Sequence, residues 1–424
     1  MAKTTVTVRM YNMGFGDAFR VTVRQGRKQW RMLVDCGVHS HGAARPLTRS
    51  VEAIVADLAA DGPPGGPKLD VVVATHHHAD HIAGFALDPW EQVEVAEVWV
   101  PFVEDRDDPD AIRLRQAHTE TARRLQALVD NRTRNLDPGR WPPAVSAARA
   151  FALNSLSNAD AMDRLLARNG RSFANQPPVR YLPDTDPAAN VVDTGLPGVQ
   201  VHVLGPSRDP AHLKRMDPPL NAGWLTLDPE LDLALAEDVD PAATEPLFNP
   251  AFELDPAGAA AHPELVDDQR SLRLDQVSND AGLLAAAALL EQVVNNTSVF
   301  FVLDVRGTHL VFPGDAQQGA WEHVLEDAAA RELVRDAVFY KIGHHGSHNG
   351  TPRRYIEEVL EGETHAMLSW GLVKRWRDTI PKTELLEALD ARHHVVTRSD
   401  APMAQPGKVT VHEDLWSEVT FEVP

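Results

Sequence analysis

The run Thr75-His76-His77-His78-Ala79-Asp80-His81, set directly behind the apolar stretch Val71-Val72-Val73-Ala74, constrains this chain more than any other feature. A short apolar run bounded by turn signals reads as a buried strand. The histidines therefore emerge from the interior. In an extended segment residues two apart share a face, so His76, His78 and Asp80 point one way and the neighbouring His81 closes on a second ion. Imidazole and carboxylate donors without thiolate suit two divalent ions, Zn²⁺ first, with Mn²⁺ or Fe as alternatives. Ions about 3.5–4 Å apart can share a hydroxide, and coordination lowers the pKa of bound water towards ~7. The expected nucleophile is that hydroxide, with Asp80 and Asp315 as the candidate catalytic carboxylates. A histidine-rich surface loop is the plain alternative, and the register behind a buried strand argues against it. His77 faces the other way and reads as structural.

Two further segments supply what such a centre lacks. Asp315, in VFPGDA, follows a strand, and a turn at Gly314 lets its carboxylate project; it reads as a bridge between cations or as a cap for the helix behind it. His344 and His345, in YKIGHHGSHNGT, also follow an apolar strand. Either can be the remaining ligand, His344 lying nearer the strand end.

The rest of the chain reads as a frame around these segments. With 424 residues, 43% hydrophobic and 24% charged, it is long enough for a large core and unlike a disordered chain. The expectation is one domain over 1–424, carrying a helical insertion at 105–190 and an Asp/Pro-rich insertion at 207–275. Residues 5–23 and then WRMLVDCG predict an opening hairpin. SVEAIVADLAADG predicts a helix, VEVAEVWVPF and GVQVHVLGPS strands, and SVFFVLDVRGTHLVFPGD a hairpin turning near Arg306-Gly307. AQQGAWEHVLEDAAAREL predicts one helix, and VRDAVFYKIG, HAMLSWG and HHVVTRS the closing strands.

The opening MAKTTVTVRMYN alternates like a strand and predicts no leader, and GLLAAAALL is too short to span a bilayer. The lone Cys36 fits a reducing compartment, so the expected location is the cytoplasm. With 61 acidic against 41 basic residues, the net charge of −20 repels long polyanions. Small or single-stranded substrates are favoured over duplex DNA, and the insertions offer surface for a protein partner.

In MGFGDAF, LVDCG, THHHADHIAG, VLGPS, NNTSVFFVL, VFPGDA, KIGHHGSHNGT, LSWG and VVTRS, taken in this order, the chain resembles the metallo-β-lactamase superfamily. Within it the chain is similar to the hydrolase domain of ComEC-type competence proteins, here without a membrane channel. The resemblance implies an α/β fold, the four-layer αββα sandwich, with a dinuclear site at one edge. It implies structural roles for Asp35 and the Gly14-Phe15-Gly16-Asp17 turn, and a phosphodiesterase or nuclease activity. The chain departs from the pattern in two places. No further site-one histidine stands out, His202 reading as a packed strand residue, and Ile380-Pro381 replaces a His-Pro step.

Asn296 and Ser298, with Asn295, are candidates to line the site. Ser347 and His348, with Thr351, are candidate donors to a developing oxyanion, Ser347 and Thr351 reading equally well as turn caps. Lys374 and Arg375, beside Trp376 and Arg377, form a basic cluster able to grip phosphate, or a solvated loop. His39 and His41 read as surface residues, and His393 and His394 as strand-edge residues. The alternatives to a phosphodiesterase are hydrolysis of a small ester, lactone or thioester, iron-based redox chemistry, or a non-catalytic binding role.

Overall fold

In the computed structural model the described residues are 3–39, 42–62, 66–114, 130, 158–219, 222–224, 294–373 and 379–424. They form an α/β structure with two mixed sheets. The first contains β1 (Thr4–Tyr11), β2 (Phe19–Gln25), β3 (Lys28–Val34), β4 (Lys68–Val73), β5 (Glu94–Pro101) and β6 (Val179–Leu182). The second contains β7 (Val191–Asp193), β8 (Val199–Gly205), β9 (Phe300–Val305), β10 (Thr308–Phe312), β11 (Ala337–Lys341), β12 (His365–Leu368) and β13 (Val395–Arg398). Two last strands, β14 (Val409–His412) and β15 (Trp416–Val423), return to the first sheet, where β15 pairs antiparallel with β1. The orders are β14-β15-β1-β2-β3-β4-β5-β6 and β13-β12-β11-β10-β9-β8-β7.

Period-2 alternation explains how the sheets meet. Val6, Val8 and Met10 of β1 point inward with Met32, Val34, Val71 and Val73. They join Val201, Phe301, Leu303, Leu310, Phe312 and Phe339 of the second sheet in one core, so the sheets pack face to face. Helices cover the outer faces. α1 (Leu47–Ala60) buries Val51, Ile54, Val55 and Leu58, at helical spacing, against Leu33, Leu69 and Val72. Two four-residue and seven-residue helices, α2 (Ala79–Ile82) and α3 (Ala159–Leu165), and a five-residue one, α4 (Pro210–Lys214), flank the loops. α5 (Gln318–Glu326), α6 (Ala328–Arg335) and α7 (Thr383–Ala391) bury Trp321, Val334 and Leu385 against Phe300, Tyr340 and Leu368 of the second sheet. Each such side chain contributes about 1.5–3 kcal/mol by leaving water.

Several expectations change. The opening is a three-strand meander rather than a hairpin, because the stretch 5–23 is broken after Tyr11. There Gly14 adopts φ 95°, and a Cβ would lie 2.0 Å from the Gly42 carbonyl oxygen. The expected helix after Asp315 is two helices, since Asp327 is extended and its side chain caps α6 by accepting from Ala330 N. The 105–190 stretch is not helical throughout: its end supplies β6, parallel to β5. Most of 105–190 and of 207–275 lies outside the described residues, as do His41, Lys374, Arg375, Trp376 and Arg377. The turn at Arg306-Gly307 forms as expected, both residues having positive φ. No helix among the described residues is long and apolar enough to cross a membrane.

Candidate metal centre

Each sheet has a parallel portion, β3 to β6 in one and β10 to β13 in the other. The loops that leave the carboxyl ends of β3, β4, β10, β11 and β12 carry Asp35, Thr75–His81, Asp315, His344-His345 and Ser369. Crevices outside the carboxyl ends of parallel strands are where α/β sheets bind ligands. Here the ends of both sheets converge.

Past β4 the chain bends at His76-His77 and His78 takes the N-terminal cap position of α2 without a side-chain cap, so Asp80 and His81 lie on one helical turn. His76 Nε2 and His78 Nδ1 still converge, 3.0 Å apart. His81 is buried, with Nε2 3.1 Å from Asp315 Oδ2 and Nδ1 2.8 Å from Asp35 Oδ2. Asp35, at φ 59°, also accepts from Thr75 N at 2.7 Å and Thr75 Oγ1 at 2.8 Å. It thereby fixes both the loop and the ring. His345 Nε2 lies 3.3 Å from Asp80 Oδ2, while its Nδ1 faces the Ser369 carbonyl at 3.0 Å. Phe15 packs on the same ring, centroids 4.1 Å apart. His344 and His345 both hold left-handed backbone, φ 48° and 50°, a conformation costing roughly 1–3 kcal/mol per non-glycine residue and found mostly at working sites. Gly314, at φ 59°, has no room for a Cβ, which would meet Ser298 Cβ at 2.8 Å and Thr75 Cβ at 3.0 Å.

Ligand-type atoms of His76, His81 and Asp315, and of Asp80, His81 and His345, lie within 4.8 Å of one another in each group. A third group, Asp17, Asp35 and His81, is equally compact. These buried His/Asp clusters can hold a metal ion. The fit is chemical as well as spatial: His78 Nε2 is buried without a hydrogen-bond partner, and His81 Nε2 faces the Asp315 carboxylate. Burial pushes His78 down to about 3 against the pull of Asp80. Burial also holds His76 well below its ordinary value, helped by His81 and His78, which favours the uncharged form a metal ligand needs.

Burial raises the Asp80 and Asp315 pKa values, but positive neighbours outweigh it. The hydrogen bond from His345 and the charge of His81 hold Asp80 below the carboxylate range, and His81 and Lys341 do so for Asp315. Burial lowers His81, yet Asp315, Asp35 and Asp17 carry it well above its ordinary value. Burial likewise works against His345, which Asp80 and Asp17 raise. A cation among these donors would replace those two protons.

Of the sequence candidates, His76, His78, Asp80, His81, Asp315 and His345 are brought together. His344 is not the histidine grouped with Asp80: its ring lies between Asn295 Nδ2 at 3.3 Å and Asn349 Oδ1 at 3.2 Å. Asp315 does not cap α5, whose cap position is Gln317. Ser298 Oγ contacts His76 Nδ1 at 3.2 Å and accepts from Asp315 N at 3.1 Å. Asn296 is spent on backbone, donating to Arg215 O at 2.9 Å and accepting from Gln317 N at 2.9 Å. Ser347 donates to Asn349 Oδ1, Thr351 meets the Tyr340 hydroxyl, and His348 meets Asp217 at 3.1 Å. His77 turns away to Glu104. His202 stands apart from the clusters, beside Asp304 at 3.8 Å, and His39 sits edge-on to Phe15.

Sequence reasoning overlooked Lys341 and gave Asp17 only a turn role. Lys341 Nζ, 3% exposed, reaches Asp17 Oδ2 at 2.5 Å and Asp315 Oδ1 at 2.9 Å. Burial lowers its pKa, and the two carboxylates more than reverse that. Its signal was a lone ionisable residue closing the apolar strand AVFYK. A scan of protein-family models gives no match, and no curated protein matches the chain.

Proposed function

We propose that this chain is a metal-dependent hydrolase with the four-layer αββα arrangement of the metallo-β-lactamase superfamily, acting on phosphodiester bonds. The observation that carries the reading is the convergence of His76, His78, Asp80, His81, Asp315 and His345 at the strand ends of both sheets. On this reading His76 and His78 would hold one divalent ion, zinc by preference, Asp80, His81 and His345 would hold a second, and Asp315, grouped with His76 and His81, would contribute a carboxylate oxygen. When bound, such ions supply Lewis acidity towards a phosphoryl oxygen and acidify a coordinated water.

The remaining work falls to the chain's own groups. Asp35 holds the His81 proton on Nδ1, which keeps Nε2 turned to Asp315. The Ser369 carbonyl does the same for His345, and Ser298 for His76. Phe15 and the tight Gly14–Asp17 turn wall the site on the His345 side and limit water. The His348 ring N–H is spent on Asp217, to which Nε2 donates at 3.1 Å. The charge of −20 favours small or single-stranded phosphodiesters over long duplexes.

The test is hydrolysis of bis(p-nitrophenyl) phosphate, single-stranded DNA and linear duplex DNA with Zn²⁺ or Mn²⁺, alongside an ester and a lactone. Cleavage of the phosphodiester that disappears on chelation and in Asp80→Ala is the expected result. Metal-loaded wild type that leaves every phosphodiester intact refutes it, and turnover of the ester or lactone then redirects the assignment.

A further inference from the structure

A lysine inside a protein must be compensated, since taking an ion out of water costs several kcal/mol. Lys341 closes β11 in a row of buried residues, where an apolar side chain would serve the strand as well. Its ammonium instead ends beneath the candidate centre. Nζ donates to Asp315 Oδ1 at 2.9 Å and to the Gly314 carbonyl at 2.9 Å, and pairs with Asp17 Oδ2 at 2.5 Å. The His344 backbone N–H adds a second bond to Asp315 Oδ1 at 3.0 Å. Oδ1 is thereby engaged twice from below, while Oδ2 faces His81 Nε2 at 3.1 Å.

We propose that Lys341 is a positioning residue of the centre, a fixed internal cation that occupies Oδ1 of Asp315 so that the carboxylate presents Oδ2 alone to a bound metal. The proposal rests on reading the His/Asp cluster as a metal centre. It also sorts the three compact groups. Asp17 is paired with Lys341, and Asp35 with Thr75 and His81, so the Asp17/Asp35/His81 group already faces an internal cation. The groups containing Asp315 and Asp80 stay open. Geometry and charge make opposite demands here: a nearby ammonium repels a divalent ion, so if charge alone mattered, losing Lys341 would tighten binding.

The experiment is a zinc titration of the full chain against a chromogenic chelator, with metal content measured after gel filtration and the metal-free fold checked by thermal melting. It compares wild type, Lys341→Met, Lys341→Arg and the double variant Asp17→Asn/Lys341→Met. The double variant removes the buried pair as a unit and covers the case in which Lys341→Met alone does not fold. Weakening of at least 10-fold is expected in Lys341→Met and in the double variant, because both leave Oδ1 held by the His344 N–H alone. Lys341→Arg is expected to weaken binding too, its planar fork being unable to reproduce the contacts of a point ammonium. Wild-type or tighter zinc binding by a folded Lys341→Met or double variant overturns the proposal while leaving the metal reading intact. A wild type that takes up neither zinc nor manganese overturns both.

Discussion

Replacing Asp35 with asparagine asks whether the orientation of His81 is imposed from behind the donor set. The carboxylate makes three contacts: Oδ1 accepts from Thr75 N at 2.7 Å, and Oδ2 from Thr75 Oγ1 at 2.8 Å and His81 Nδ1 at 2.8 Å. Asparagine keeps an oxygen for the backbone N–H but turns an amide NH₂ towards the other two atoms. The Thr75 hydroxyl can rotate to accept. The His81 Nδ1–H cannot, so one charge-assisted bond is lost, about 1.5–3 kcal/mol. The ring escapes the clash of donors by giving up its Nδ1 proton and keeping the one on Nε2, the nitrogen that faces Asp315. That nitrogen can then no longer offer a lone pair, and loss of such an orienting partner costs roughly 10–100-fold in metal affinity. The unfolding free energy of the metal-free protein in urea is therefore expected to fall by about 1.5–3 kcal/mol, and zinc competition titration to show a 10–100-fold weaker site. Wild-type zinc affinity in Asp35→Asn would refute the reasoning, because His81 would then be oriented by something other than Asp35.

Two further outcomes test the frame. His365 is buried, which pushes its pKa down to about 4, and its Nε2 meets Thr397 Oγ1 at 2.9 Å. The unfolded chain binds this proton near its ordinary value of about 6.5, so stability falls as pH drops from ~6.5 to ~4, by about 1–2 kcal/mol after allowing for partial solvation. His365→Gln should flatten that part of a pH series of urea unfolding curves; superimposable wild-type and variant slopes would contradict it. Gly14→Ala forces a Cβ to within 2.0 Å of the Gly42 carbonyl at φ 95°. A loss of at least ~1–3 kcal/mol in chemical denaturation is expected, and an unchanged midpoint would show that the 13–17 turn is not held as described.

The parts of this protein written in local pattern were legible in advance. VVVATHHHADH disclosed a strand and the donors leaving it, and VFPGDA and KIGHHGS disclosed where the second sheet would answer. Which ring of His344-His345 turns inward was not legible, because two consecutive left-handed residues reverse the simple rule that the residue nearer the strand end points in. Lys341 looked like the end of a strand. Its meaning depends on Asp17, more than 300 positions earlier, and no periodicity carries that pairing. Asn296 looked like a pocket residue since its type suits one, yet backbone groups of α4 and the Gln317 turn consume it. Strands β14 and β15 went unread because the half-exposed sequence of β15, WSEVTFEV, is secured chiefly by register with β1.

The distances along the chain between groups that touch set an order of events in folding. Asp80 and His345 meet across 265 positions, and β15 finds β1 across nearly the whole chain. Contacts so remote form slowly, after local hairpins and helices have condensed. Neither sheet alone carries the set of donors, so no early intermediate can offer it to a cation. The unfolded chain, with a single cysteine, also lacks the paired thiolates that seize soft metals. On the metal reading, the complete donor set exists only once both sheets have met, so discrimination among ions would fall to the assembled site.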